Sequence, residues 1–398
     1  MLYKITIENF FSIADMQEIS FEVPANAPKG LFCFRHSNAD EKTRLPTIIG
    51  FFGPNASGKS TVLRAIINSL AFALHSFDKG DQISLWFQPY RHKNWWDKPT
   101  KIVIEFECQL RPDMPVVRFR YELHIAHKAQ DFPNNKVLYE ALLYAPKRKY
   151  RRLFEREGQS FYFGNEFGIS SSSEKRNSIR SNASVLSTLA KLNHSESIYL
   201  SQLIGKWQLN IFGFGRVQPN NMQWLSVYAQ DKACLDRLNR ELRRFDIGLE
   251  SMSIEIGQYG PFSKFSHVGL DSFIFLGEES AGTQRFIEIF PYLHYALESG
   301  SVAVIDELDN DFHPLLIPEL FNWFNDPNKN VHGAQLLFTA NNPAVLNELE
   351  KEQIFFTEKQ SGQSTYVYCA KDIKGLRRDL SLMKKYLAGE LGAVPHIG

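Results

Sequence analysis

The stretch GPNASGKST, from Gly53 to Thr61, constrains this chain more than any other feature. Gly53, Gly58, Lys59 and Ser60 fit the spacing G-x-x-x-x-G-K-[ST], in which glycines let successive backbone N–H groups turn toward phosphate oxygens. That motif works only between a strand and a helix. LPTIIGFFG precedes it as a short apolar strand, and TVLRAIINSLAFALHSF follows with apolar residues recurring at three and four positions, the helical period. The helix N-terminus adds partial positive charge to the cradle. Asn55, Ala56, Ser57, Gly58, Lys59, Ser60 and Thr61 are therefore expected to bind a nucleotide. Lys59 is expected at the β- and γ-phosphates, the Ser60 hydroxyl on Mg²⁺, and Thr61 at the α-phosphate. The loop alone does not separate a kinase, a GTPase switch, a helicase, or a clamp that closes two copies around ATP.

SVAVIDELDNDFHP supplies the acidic partner. Val302, Ala303, Val304 and Ile305 form an apolar strand that delivers Asp306 at its end, where a carboxylate holds Mg²⁺ through water. Glu307, one residue on, is placed to orient or activate the attacking water. A solvated strand cap is the plainer reading of such a pair, and the phosphate loop in the same chain weighs against it. No guanine-reading N-K-x-D occurs, so adenine is favoured.

Ser280, Ala281, Gly282 and Thr283 make a small, hydroxyl-rich turn before a helix carrying Phe286, Ile289 and Phe290. A turn of this kind is a second anion site, or simply an N-cap. One triphosphate rarely needs two such sites in one chain. Two chains packed head to tail do, because the second turn closes over the γ-phosphate held by the first.

The order GPNASGKST, ESAGTQRF, VAVIDELDNDFHP and LLFTANNP resembles the ATP-binding-cassette class of ATPase heads. Within it, the chain resembles the stand-alone ATPases related to overcoming-lysogenization-defect proteins and SMC-type heads, and most of all the bacterial abortive-infection ATPases often encoded beside a second defence protein. KITIENFFSI, RSNASVLSTLAKLNH and KKYLAGELGAVPHIG extend the resemblance over nearly the whole chain. It implies an α/β P-loop NTPase of the ATP-binding-cassette head type, with a strand-rich N-terminal lobe and a largely helical insertion. It also implies ATP and Mg²⁺ as cofactors, and a homodimer closed by ATP or a higher assembly. Ser280 and Gly282 become signature residues acting in trans, and Asp309 belongs to the loop coupling the two sites. His313 with Pro314 matches the family's His-Pro, and Gln88 in WFQPY matches a glutamine that senses Mg²⁺ and γ-phosphate. Asn341 stands where the family often has a switch histidine. An asparagine still hydrogen-bonds but does not titrate, so slow turnover, or ATP used mainly as a clamp, is expected.

Composition limits what such a head drives. Lys plus Arg number 45 against 44 Asp plus Glu, a formal charge of +1, which fits neither a nucleic-acid-coating protein nor an acidic mimic. The four dispersed cysteines show no zinc-knuckle spacing, and no apolar run spans a bilayer, so a reducing cytoplasm and no membrane contact are expected. Three segments are expected: an N-terminal lobe over 1–145, a mainly helical insertion over 146–270, and a C-terminal lobe over 271–398. Leu235, Leu238, Leu242 and Phe245 form a three-turn stripe, more a core-facing helix than a coiled coil. The polar run from Gly168 to Ser184 reads as a mobile loop. Residues 343–398 lack the spaced acidic residues of a two-metal nuclease. A separate toxin or nuclease effector is therefore the expected partner, in an antiphage switch. An SMC-like DNA-repair ATPase and an ATP-binding scaffold are the alternatives. Lys147, Arg148, Lys149, Arg151 and Arg152 offer a DNA or RNA contact or a solvated face. His92, Trp95 and Trp96 offer a protein-binding surface or packing.

Overall fold

Two sheets and the helix between them place every motif. The computed structural model describes residues 1–79, 86–127, 135–170, 173–212, 215–216, 222–245, 248–360 and 364–395. The first sheet has seven antiparallel strands. From one edge these are Ser160–Phe163, Arg151–Glu157, Lys136–Ala145, Val117–Ala126, Thr100–Cys108, Leu2–Glu8 and Gln17–Ser20. Its third member in chain order, Thr100–Cys108, pairs with the N-terminal strand in register Ile5↔Ile104 and Ile7↔Ile102. Strict alternation of buried and half-buried residues along Val117–Ala126 marks a sheet with one face packed and one face solvated.

The second sheet is built on a parallel core. Its order is Gln208–Leu209, Val302–Ile305, Gln335–Thr339, Ile48–Phe52, Ile354–Gln360 and Ser364–Cys369, and only the last pairing is antiparallel. Helices or sheet cover both faces, so its strands read as unbroken apolar runs. Alternate side chains serve two cores: Ile49, Phe51, Val304 and Leu337 point one way, and Phe52, Ile305 and Phe338 the other.

The helix Lys59–Lys79 fills the space between the sheets, burying Val62, Leu63, Ile66, Ile67 and Leu70 against Ile7, Ile104 and Phe119. Helices Val185–Lys191 and Ser195–Ile204 belong to the same layer, with Leu186, Leu189 and Leu200 in that core. On the other face lie the helices Lys232–Phe245 and Ala281–Ser299. Leu238 and Leu242 of the sequence stripe are buried there, so the stripe is a core face. This is a mixed α/β fold with a strand-rich sheet core and helical insertions.

The polar run Gly168–Ser184 carries a 3₁₀ turn at Glu174–Ser178, and the Lys175 ammonium reaches the Leu192 carbonyl at 3.0 Å. Residues 171 and 172 of that run, and 396–398 of the tail, lie outside the described residues. Lys147, Arg148 and Lys149 sit in the exposed turn between two strands of the first sheet. Arg152 is spent on Glu155 and the Tyr162 ring. Trp95 stacks under the Lys98 ammonium at 3.9 Å, while Trp96 is exposed. Among the described residues no helix is long and apolar enough to cross a membrane.

Candidate functional site

The carboxyl ends of the parallel strands are where an open α/β sheet forms its crevice, and three motif segments leave the sheet there. Strand Ile48–Phe52 runs into the loop, Val302–Ile305 into Asp306, and Gln335–Thr339 into Ala340-Asn341-Asn342. Their parallel registers, Ile305↔Phe338 and Phe338↔Gly50, hold the three exits side by side.

The loop needs its glycines. At Gly53 (φ +148°) a Cβ would lie 2.2 Å from the Thr357 carbonyl oxygen, and at Gly58 (φ +110°) 2.3 Å from Thr365 Oγ1. A hydroxyl network braces the loop from behind. Ser57 Oγ meets Thr357 Oγ1 at 2.6 Å, Thr365 Oγ1 donates to the Ser57 carbonyl at 2.7 Å, and Ser12 Oγ meets Thr61 Oγ1 at 2.9 Å. Gly58 is the residue from which the helix starts, its carbonyl accepting from Thr61 N at 3.0 Å. The helix amides ahead of that first bond have no intrahelical acceptor, the arrangement by which a helix N-terminus binds phosphate.

Lys59 is buried, and its ammonium donates to the carbonyls of Gly53 (2.7 Å) and Pro54 (3.1 Å). Burial lowers its pKa, and Asp306 and Asp309 oppose that shift. A desolvated cation folded onto its own loop is a fit for a polyanion. Next to it, Ser60 Oγ donates to both oxygens of Asp306, at 2.9 and 3.0 Å. A hydroxyl and a carboxylate are oxygen donors of the type that holds Mg²⁺. Among the described residues no cluster of three or more His, Cys, Asp or Glu forms a metal site.

The acidic pair is clamped from several sides. Thr339 Oγ1 donates to Asp306 Oδ1 at 2.6 Å and accepts the Glu307 N–H at 2.7 Å. Asn210 brackets the Asp306 peptide, accepting its N–H at 2.7 Å and donating to its carbonyl at 3.2 Å. Arg285 Nη2 donates to the carbonyls of Asp306 (3.2 Å) and Glu307 (3.1 Å). Glu307 itself has φ +50°, and Asn310 Nδ2 donates to its carboxylate at 2.6 Å. Thr339, Asn210 and Arg285 escaped the sequence reading. Thr339 and Arg285 lay within motif stretches but had no role assigned to them; Asn210 acts from 96 residues away, with no local pattern to mark it.

Thr339→Val should keep the fold but remove both bonds, at a cost of about 1–3 kcal/mol for the groups left unpaired. Turnover should fall about tenfold to a hundredfold through misplacement of Glu307. Thermal unfolding and phosphate release on the same preparation check this, and wild-type turnover would exclude the positioning role of Thr339.

Asn341 follows on the same exit, its N–H donating to Asp309 Oδ2 at 2.9 Å, beside Asn342 N at 2.6 Å. The Asn342 side chain caps the next 3₁₀ turn, and Asn341 is exposed. Gln88 is buried, and its carbonyl accepts the Phe11 N–H at 2.8 Å, one residue from the Ser12 that touches Thr61. Ser280 and Gly282 go elsewhere. Ser280 Oγ caps the helix Ala281–Ser299 by accepting Thr283 N at 3.1 Å, and a Cβ on Gly282 would lie 2.8 Å from the Asp311 carbonyl oxygen. Both line a cavity of about 340 Å³ with Asp311, Phe312 and His313, and no residue of the loop 53–61 lines it.

A protein-family model described as "AAA domain, putative AbiEii toxin, Type IV TA system" matches residues 48–347. No curated protein matches the chain. Among solved structures, the fold is similar to an SMC head bound to the C-winged helix domain of ScpA. There the TM-score is 0.51 at 11% identity, over 92% of this chain and 97% of that one. An SMC head domain from Thermotoga maritima matches with TM-score 0.42 at 12% identity, over 92% of this chain and 98% of that one. An Smc head with an extended coiled coil, from Pyrococcus furiosus and bound to the C-terminal domain of ScpA, gives 0.46 at 13% identity, over 98% and 99%. At such identities the likeness concerns fold alone.

Proposed function

This chain belongs to the AAA-domain family of P-loop ATPases described as putative AbiEii toxins of type IV TA systems, and on that premise we propose that it is an ATP-closed dimeric switch of an abortive-infection module, controlling a separate toxin or nuclease. The carrying observation is a division within one chain. Loop, Ser60 and Asp306 are joined by hydrogen bonds, while the Ser280–Gly282 turn lines a cavity without them. A second copy, packed head to tail, brings its turn to the first copy's phosphates.

In this reading the residues Asn55 to Thr61 hold the triphosphate, with Lys59 turning from the Gly53 and Pro54 carbonyls to the phosphate oxygens. Ser60 and Asp306 would hold Mg²⁺, with Gln88 as a further ligand, and the bound ion would neutralise phosphate charge. Glu307, fixed by Thr339 and Asn310, orients water and accepts its proton. Asn341 contributes a neutral hydrogen bond in place of a titrating imidazole, which favours a long-lived closed state over fast cycling. A ligand shifts a partner equilibrium only when it binds the two states differently, so effector control requires ATP to change the surface offered to that partner.

The description of the family names a toxin, which favours a second reading in which this chain is itself the harmful component. One experiment separates the two. Wild type and Glu307→Gln are purified from the native host with and without Mg-ATP, and composition and nuclease activity are measured. A stoichiometric second protein whose retention follows ATP, with no cleavage of DNA or RNA by this chain alone, is expected. A solitary chain with nuclease activity lost in Lys59→Ala would overturn the switch.

A further inference from the structure

Glu307 has a left-handed backbone, φ +50°, which a residue with a side chain adopts at a cost. Something must hold it there. Thr339 holds its N–H, and the two carbonyls at 306 and 307 are held by one guanidinium, Arg285 Nη2. Arg285 lies on the helix that Ser280 caps, five positions along, and is 6% exposed. Its flanks on that helix are apolar: Phe286 and Ile289 are buried. Its charge is met by Glu288 of the same helix at 3.0 Å, and its Nε has no hydrogen-bond partner. Stability alone does not account for this choice, since a well-packed apolar side chain commonly serves as well as a buried ion pair.

We propose that Arg285 is a positioning residue which ties the signature helix to the Asp306–Glu307 backbone, so that engagement of the Ser280 turn at one nucleotide site sets the Glu307 geometry of the other. The inference rests on the dimeric reading above. A helix rises about 1.5 Å per residue along its axis, so the grip sits about 7.5 Å from the turn. A shift of that turn against a partner's phosphate therefore pulls on the two carbonyls. Arg285 grips backbone carbonyls, so its loss leaves ATP binding intact and removes the alignment of Glu307. A lysine ammonium on its flexible stem lacks the fixed plane by which the guanidinium meets Glu288 through Nη1 and the two carbonyls through Nη2.

Arg285→Gln and Arg285→Lys test this, read by Mg-ATP affinity, turnover and hydrogen exchange. Affinity should stay within about twofold of wild type, while kcat falls about tenfold or more in Arg285→Gln and about threefold or more in Arg285→Lys. In nucleotide-free protein, amides of 302–312 should exchange faster while those of 53–61 do not change. On a Glu307→Gln background, Arg285→Gln should lower the residual rate by less than about twofold, because both changes act through one group. Wild-type kcat in Arg285→Gln, or a full loss repeated on the Glu307→Gln background, overturns the proposal. Should Arg285→Gln not fold, wild-type kcat in Arg285→Lys overturns it equally. Wild-type turnover in Glu307→Gln alone would instead remove the acidic-pair reading beneath it.

Discussion

Glu307→Gln is expected to bind Mg-ATP as wild type does and to hydrolyse it about 10²–10⁴-fold more slowly. The substitution is nearly isosteric and keeps a hydrogen-bonding group toward Asn310, while removing the carboxylate that takes the proton from water. Asp306, Ser60 and Lys59 are untouched, so the phosphates and the metal still have their partners. Phosphate release measured beside nucleotide affinity separates the two effects. Equal turnover in both proteins would remove Glu307 from the chemistry. A loss of affinity instead would show that Glu307 holds the nucleotide.

Lys59→Ala is expected to remove binding altogether at ordinary ATP concentrations. Its ammonium is the buried cation of the loop, already stripped of water and resting on the Gly53 and Pro54 carbonyls. Truncating one partner of a buried charge pair costs about 2–5 kcal/mol, or about 30- to 5,000-fold in Kd. Titration calorimetry with Mg-ATP reads this directly, and unchanged affinity would exclude the phosphate-loop assignment. Asp306 also loses a neighbouring positive charge in this variant, so its Mg²⁺ affinity without nucleotide is a useful second reading.

The parts legible in the sequence were those with local rules. Gly53 and Gly58 are spaced for a backbone cradle, and the structure explains them by the Thr357 and Thr365 atoms a Cβ would strike. The apolar run Val302–Ile305 announced a strand buried on both faces, and Asp306 at its end lies where the run implied. What stayed hidden was carried by tertiary contact. Asn210 lies beside an edge strand of two residues, Gln208–Leu209, too short to give a period, yet it brackets the Asp306 peptide. Arg285 looked like one polar position on an amphipathic helix. Thr357 and Thr365 are ordinary strand threonines until the C-terminal hairpin sets them behind the loop. The basic run after Ala145 also hid the strand Arg151–Glu157, because its charges outnumber the buried Leu153, Phe154 and Arg156.

Closure of two copies around ATP is tested most directly by the solution mass of Glu307→Gln, which retains nucleotide. Light scattering should give one chain of 45.8 kDa without nucleotide and twice that mass with Mg-ATP. Glu307→Gln carrying Ser280→Arg should stay at the single-chain mass under both conditions, because the turn that meets the partner's phosphates is blocked. A mass that does not respond to Mg-ATP in Glu307→Gln, with binding confirmed by calorimetry, would contradict the ATP-closed dimer.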